Sequence, residues 1–225
     1  MSHPLPALSL LETRVLGVLI EKQHTVPDTY PLTLNSLTSG CNQKTSRDPV
    51  INATEAEVQS AVDHLKSLSL VFESSGGRVM RYEHNLGRVL QLNGQSVALL
   101  AALFLRGPQT SGELRINTER IHKFADISAL EGFLEDLSTR EAGALVKELP
   151  RQPGARENRW AHLVSGDVAV DTAAVMSQPG SVSGDAVTVG EIAALKANVD
   201  ELQGEVAALK ATVAKLCTEL GMNVE

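Results

Sequence analysis

The sequence predicts a mainly helical α+β protein, and three observations carry that expectation. A helical pattern appears three times in each of two successive stretches, with capping pairs at two of the three, and each set is followed by two short extended runs around a glycine-containing turn. A strict heptad pattern then ends the chain. Three helices and a hairpin, used twice, is the plan of tandem winged helices. The expected domains are therefore a winged helix over residues 1–86, a second over 87–165, a flexible linker over 166–186 and a dimerising coiled coil over 187–223. The competing reading is that three helices plus a hairpin is simply a compact way to bury a short chain, as many small α+β folds do.

Taken in order, Ser9 and Glu12 form a capping-box pattern, and Leu11, Val15, Val18 and Leu19 continue a helical stripe to about Gln23. Pro27 and Pro31 interrupt it, and a short helix is expected from about Leu32 to Ser39, closing at Gly40. Thr54 and Glu57 open the third helix, whose Val58, Val62, Leu65 and Leu68 share a face. Leu70–Phe72 and Arg78–Tyr82 flank Ser74-Ser75-Gly76-Gly77 as a hairpin. The second set repeats the order. Gln95–Leu105 ends at Gly107-Pro108, Thr110 and Glu113 cap a short helix, and Ser128 with Glu131 is expected to open the next. Leu145–Leu149 and Arg159–Leu163 then flank Pro153-Gly154. Val58, Val62 and Leu65 fall on Leu130, Leu134 and Leu137 in the repeat.

Residues 166–186 hold Gly, Ser, Asp and Pro without periodicity and read as a linker. Beyond them Ile192, Val199, Val206 and Val213 alternate with Leu195, Leu202, Leu209 and Leu216 at a and d. Mostly β-branched residues at a with Leu at d favour a parallel two-stranded coiled coil, and Glu191 and Glu205 at g face Lys196 and Lys210 at e across such a dimer. The alternative is an amphipathic helix that folds back onto the chain's own core.

Charge narrows the function classes. The chain of 225 residues has net charge −7, but residues 1–86 carry 7 Lys/Arg against 9 Asp/Glu and residues 87–165 carry 10 against 9. The acidity sits in the tail, so bulk charge does not attract nucleic acid or anionic membrane, while a local basic patch remains open. No apolar run approaches the ~20 residues of a membrane span. The first residues lack a basic, secretion-type leader, and two distant cysteines make no disulfide framework, which points to a reducing cytoplasm. The six histidines show no metal-ligand spacing, no phosphate-loop, dinucleotide or nucleophile-elbow motif occurs, and no cofactor is expected. Cys41 with His64 is the one conceivable nucleophile and base, and a small buried thiol is the simpler account of Cys41. Aromatic residues make up 3% of the chain, too few for a base-stacking platform.

The polar segment from Cys41 to Val50 is the most distinctive. In a winged helix the loop and third helix face the major groove, so Lys44 and Arg47 are expected to contact phosphates, with Asn42 or Gln43 at a base edge. An equally supported and compatible reading is that Asn42, Asp48 and Asn52 shape and cap the turn between two helices. The third helices argue against simple groove reading, because Glu55, Glu57 and Asp63, and in the repeat Glu131, Glu135 and Asp136, outnumber their basic neighbours. The hairpins are more basic, which adds Arg78, Arg81, Arg156 and Arg159 to the nucleic-acid contact candidates.

Several longer strings then resemble a known family. Leu19-Ile20-Glu21-Lys22-Gln23, Tyr30-Pro31-Leu32, Cys41-Asn42-Gln43-Lys44 and Arg47-Asp48-Pro49-Val50 occur in the order found in the bacterial YceH family. Leu105–Thr110, Gly112-Glu113-Leu114-Arg115 and Pro153–Glu157 extend the likeness, which covers about residues 8–166. Ser111 stands where the family pattern tends to have Pro, and either suits a helix start. The resemblance implies two winged-helix domains and brings no reaction, cofactor or ligand. The expectation is a non-enzymatic DNA-binding or transcription-regulatory protein that dimerises through its tail. The alternative is a protein–protein adaptor without DNA binding, and an enzyme site assembled across the two domains is the weaker third reading.

Overall fold

The first helix, α1 (Leu10–Thr25), begins as its sequence dictates. The Ser9 side chain accepts from the Glu12 amide and the Glu12 carboxylate accepts from the Ser9 amide at 2.7 Å. Burial extends all round the helix from Glu12 to Ile20 rather than along one stripe, because α1 is the central element: α2 (Leu34–Cys41), α3 (Glu55–Ser67) and β3 (Arg81–His84) pack on it from one half of the chain and α5 (Gly94–Arg106) from the other. Gly17 permits the α5 contact, since a Cβ there would lie 2.9 Å from the Leu105 side chain. The structure is a computed structural model that describes residues 5–74, 79–152 and 154–166.

After a short turn at Pro27–Thr29, Leu32 and Thr33 form β1 and α2 runs from Leu34 to Cys41. The second helix therefore starts two residues later than its periodicity suggests. Leu32 and Thr33 are drawn into pairing with Tyr82 and Arg81, and the Thr33 hydroxyl caps α2 by accepting from the Ser36 amide. Helix α3 (Glu55–Ser67) starts at the expected Thr54/Glu57 box. Strands β2 (Val71–Ser74) and β3 (Arg81–His84) complete an antiparallel sheet in the order β1-β3-β2. One turn of helix, α4 (Leu86–Val89), which the sequence pattern did not announce, leads into the second half.

There α5 (Gly94–Arg106) is capped by Asn93 and closes at Gly107, whose φ of 69° is open to glycine without a steric penalty. Helix α6 (Ser111–Thr118) carries the expected Thr110/Glu113 box. Helix α7 (Ile127–Ser138) corrects an expectation: Asp126, not Ser128, is its cap, accepting from the Ala129 amide at 2.7 Å. A carboxylate placed just ahead of the apolar Ile127 takes the orphan amides first. Strands β4 (Val146–Leu149) and β5 (Arg159–His162) form the second hairpin. Gln109 bridges to Trp160, so the second half reproduces in one residue pair the β1–β3 contact of the first.

A single apolar cluster runs through both halves, from Val15 and Leu19 on α1 through Leu99 and Leu103 on α5 to Leu130 and Leu134 on α7. All described residues fall within one compact unit, Met1–Thr172. Among the described residues no helix is long and apolar enough to cross a membrane. The expected linker and the heptad residues Ile192, Leu195, Val199, Leu202, Val206, Leu209, Val213 and Leu216 lie outside the described residues.

Candidate nucleic-acid interface

The segment joining α2 to α3 is fixed from inside the protein. Arg14, fully buried on α1, donates to the carbonyls of Cys41 at 3.2 Å and Pro49 at 2.7 Å, so one guanidinium grips both ends of the polar loop. Burial and the neighbouring Arg47 charge lower the pKa of Arg14, an effect that the loop carbonyls counter by solvating the cation. Arg47 is buried as well. Its Nε donates to the Gly40 carbonyl at 3.1 Å, and its two terminal nitrogens grip the Glu21 carboxylate at 3.2 and 2.7 Å. Burial alone would raise the Glu21 carboxyl, but the Arg47 bonds and charge, helped by Lys22, outweigh it and hold the group below its ordinary value. The Asn42 amide closes the loop by exchanging two hydrogen bonds of 2.7 Å with the Ala53 backbone.

Several expected contacts are thereby corrected. The Arg47 side chain is 0% exposed and its donors are engaged within the fold, which removes it from the groups free to meet a phosphate. Asn42 is committed to Ala53 and shapes the turn rather than presenting to a base edge. Gln43, half-buried, donates to Thr45 and receives a long contact from Arg47. Lys44 alone of the four is exposed and without a partner among the described residues. On the first hairpin, Arg81 donates to the carbonyls of Thr29 and Pro31 and pins the turn before β1. Arg78 lies outside the described residues.

Two arginines of the second hairpin face solvent. Arg156 and Arg159 are exposed and make no ion pair among the described residues. Arg159 lines a depression of about 260 Å³ together with Ser46, Arg47 and Asp48 of the first half and Arg106, Gln109 and Asn117 of the second. Arg156 lies apart from it, on an open cavity of about 370 Å³ lined also by Arg151, Glu131, Glu148 and Trp160. The structure therefore brings the 42–48 loop and Arg159 together and leaves Arg81 and Arg156 elsewhere. It also adds Arg106, half-buried at the end of α5, which sequence reasoning missed because it sits in a run of apolar residues. The loop is tied to this neighbour directly, since the Asp48 amide donates to the Leu105 carbonyl at 2.8 Å.

The outward surfaces of the third helices are acidic, as their sequence suggests. Glu55, Glu57 and Asp63 on α3 and Glu131, Glu135 and Asp136 on α7 are all exposed. The Cys41 thiol is buried and its pKa is pushed up to about 12 by desolvation, so it carries no thiolate at neutral pH. His64 pairs with Glu12, not Cys41. Among the described residues no cluster of three or more His, Cys, Asp or Glu side chains is gathered to hold a metal ion.

Comparison with known proteins places the chain in a family. The pattern of the family described as "Protein of unknown function, DUF480" matches residues 8–155. A UPF0502 protein of Methylibium petroleiphilum is 59% identical over 98% of this chain and 93% of its own length. Similar proteins from Burkholderia multivorans, 57% identical over 97% and 91%, and Dechloromonas aromatica, 55% identical over 90% and 96%, carry the same UPF0502 name. The order of motifs in residues 8–166, the match of the family pattern and these near full-length relatives agree: the chain belongs to the DUF480/UPF0502 family, the YceH-like bacterial proteins that its motifs resemble.

Proposed function

We propose that this protein is a non-enzymatic DNA-binding regulator built from two winged-helix modules. The observation that supports the reading is where the free cations sit on the repeated unit. Lys44, Arg106 and Arg159 have no carboxylate partner among the described residues and flank one depression or the loop beside it, whereas the outer faces of α3 and α7 are acidic. A duplex is then held by loop and hairpin contacts to its phosphates, which position rather than specify. The third helices stay clear of the phosphate rows, where their carboxylates would be repelled. Self-association through the heptads of residues 187–223 would present two such surfaces at once and raise the effective affinity without a new contact.

Fluorescence anisotropy of the full-length protein with random-sequence duplex tests the reading. Six to ten phosphate contacts predict an affinity loss on the order of 10³–10⁵ between about 50 and 200 mM salt. No binding at the lower salt contradicts it and favours the adaptor reading. That alternative has its own support in the exposed Phe72, Val79 and Met80 of the first hairpin and in the exposed carboxylates of α3.

A further inference from the structure

We infer that the crevice between α1, the 43–46 loop, α5 and the end of α6 binds a small organic anion, a carboxylate carried on an aromatic or short branched apolar body. The inference goes beyond DNA binding. It concerns a crevice that adjoins the depression described above and shares Ser46, Arg106 and Asn117 with it, while Lys22, Arg120 and the apolar wall belong to the crevice and not to the depression. The crevice has a volume of about 130 Å³. A closed cavity of about 150 Å³ holds a benzene ring, so this slightly smaller crevice seats most of a ring and leaves a carboxylate at its mouth.

Its walls have two chemistries. Ala102 and Leu105 of α5 and Ile121 beyond α6 supply an apolar side. Lys22, Arg106 and Arg120 supply three cations, and Glu21 is the one carboxylate lining the crevice among the described residues. That carboxylate is already gripped by buried Arg47 through two bonds, and Lys22 reaches it at 3.3 Å. Arg106 and Arg120 therefore face the crevice with no counter-charge of their own, and neither makes a hydrogen bond or ion pair among the described residues. A half-buried guanidinium such as Arg106 is partly desolvated, and an anion seated beside it restores what burial removes. The apolar wall selects an anion with a hydrocarbon body over a bare, strongly hydrated one such as phosphate.

The position gives the ligand a consequence. Lys22 and Gln43 belong to the first half of the repeat and Arg106 and Arg120 to the second, so an anion here touches both halves and stabilises their present packing. That is the arrangement an effector site of a regulator needs.

The test uses full-length protein without DNA, titrated with benzoate, with the neutral isostere benzamide and with inorganic phosphate at matched ionic strength. Calorimetry and thermal unfolding give the readouts. Benzoate is expected to bind saturably and raise Tm, while benzamide and phosphate do neither. Arg106→Gln and Arg120→Gln are each expected to weaken benzoate about tenfold or more, the usual consequence of losing one charge-assisted contact. Arg151→Gln, on the far cavity, leaves the affinity unchanged. Absence of saturable benzoate binding at tens of millimolar overturns the inference, as does equal binding of benzamide or phosphate, or full affinity in Arg106→Gln. Because both arginine variants alter exposed or half-exposed groups without internal partners, their unliganded Tm is expected to match the parent. The DNA titration is read separately, so either idea can fail alone.

Discussion

In the first half of the molecule the connection from the second helix to the third runs from Asn42 to Thr54 and is held from within by two buried arginines. In the second half the corresponding connection runs from Glu119 to Asp126 and is held by buried Phe124, which meets His122 edge-on at 4.8 Å and Phe133 at 5.8 Å. The two solutions differ in reach. An apolar plug fixes the local turn and ends there. The guanidinium of Arg47, by contrast, is bonded to backbone on one side and to Glu21 on the other, which holds the loop in one conformation with its Asp48 amide against Leu105 of the other half. Buried ion pairs are often no more stabilising than apolar packing, but they fix geometry where one partner cannot leave without exposing the other. The two connections thus do different work: the first braces the halves together and presents Lys44, and the second turns the chain on an apolar plug and sets Arg120 and Ile121 on the crevice wall.

That contrast makes Arg47→Ala the most damaging single change considered. It leaves Glu21 and the Gly40 carbonyl without their partner and should cost about 3 kcal/mol or more in urea unfolding. The double variant Arg47→Met with Glu21→Met should recover part of the loss, because no unpaired charge is left. Equal loss in single and double variants would mean that the brace acts by shape alone.

The histidines at matching places on the two inner hairpin strands test how far the halves are alike. His84 and His162 both hold their Nδ1 buried and without a partner, and burial lowers each to about 4, with the His24 charge adding to the effect at His84. Their folded pKa values lie below the ordinary 6.5, so the unfolded chain takes up protons first as pH falls. The stability is complete above about pH 6.5 and is lost progressively towards pH 4, by roughly 1–3 kcal/mol per histidine. NMR titration should place both rings near 4, and His162→Gln and His84→Gln should each flatten the pH dependence. A ring titrating near 6.5 would show that its half does not enclose it.

Glycines sharpen the difference between shared and private surfaces. Gly17→Ala drives a methyl into Leu105 at the α1–α5 contact and is expected to destabilise by about 1–3 kcal/mol. Gly132→Ala, on α7 with no atom within 4 Å of the added carbon, should stabilise by about 0.5–1 kcal/mol through helix propensity. Thermal unfolding of the two variants separates them by sign.

What the sequence makes legible is what neighbouring residues decide between themselves. The boxes at Ser9/Glu12, Thr54/Glu57 and Thr110/Glu113 each need only four consecutive residues, and all three form as expected. Where two residues compete, as Asp126 and Ser128 do ahead of α7, spacing alone cannot choose, and the carboxylate wins. The hairpins follow from their short apolar runs, whereas α4 is one turn long and has no periodicity to read. The surroundings of the 42–48 loop are harder to read. Arg47 reads as a solvent cation because its partner Glu21 lies 26 positions upstream, and Arg14 reads as one polar residue interrupting an apolar helix. Long-range pairing of buried charge leaves no local signature. That Lys44 and Arg159 stay exposed is legible, because exposure is the ordinary state of their residue types.

The slope of log Kobs against log salt for duplex binding, compared between the parent and a Lys44→Gln, Arg106→Gln, Arg159→Gln triple variant, settles whether these free cations are the phosphate contacts. Each phosphate contact contributes about 0.9 to the slope, so the triple variant should be shallower by roughly 2.7 and weaker at every salt concentration. An unchanged slope would contradict the account and move any DNA contact away from the loop and groove that the buried arginines hold in place.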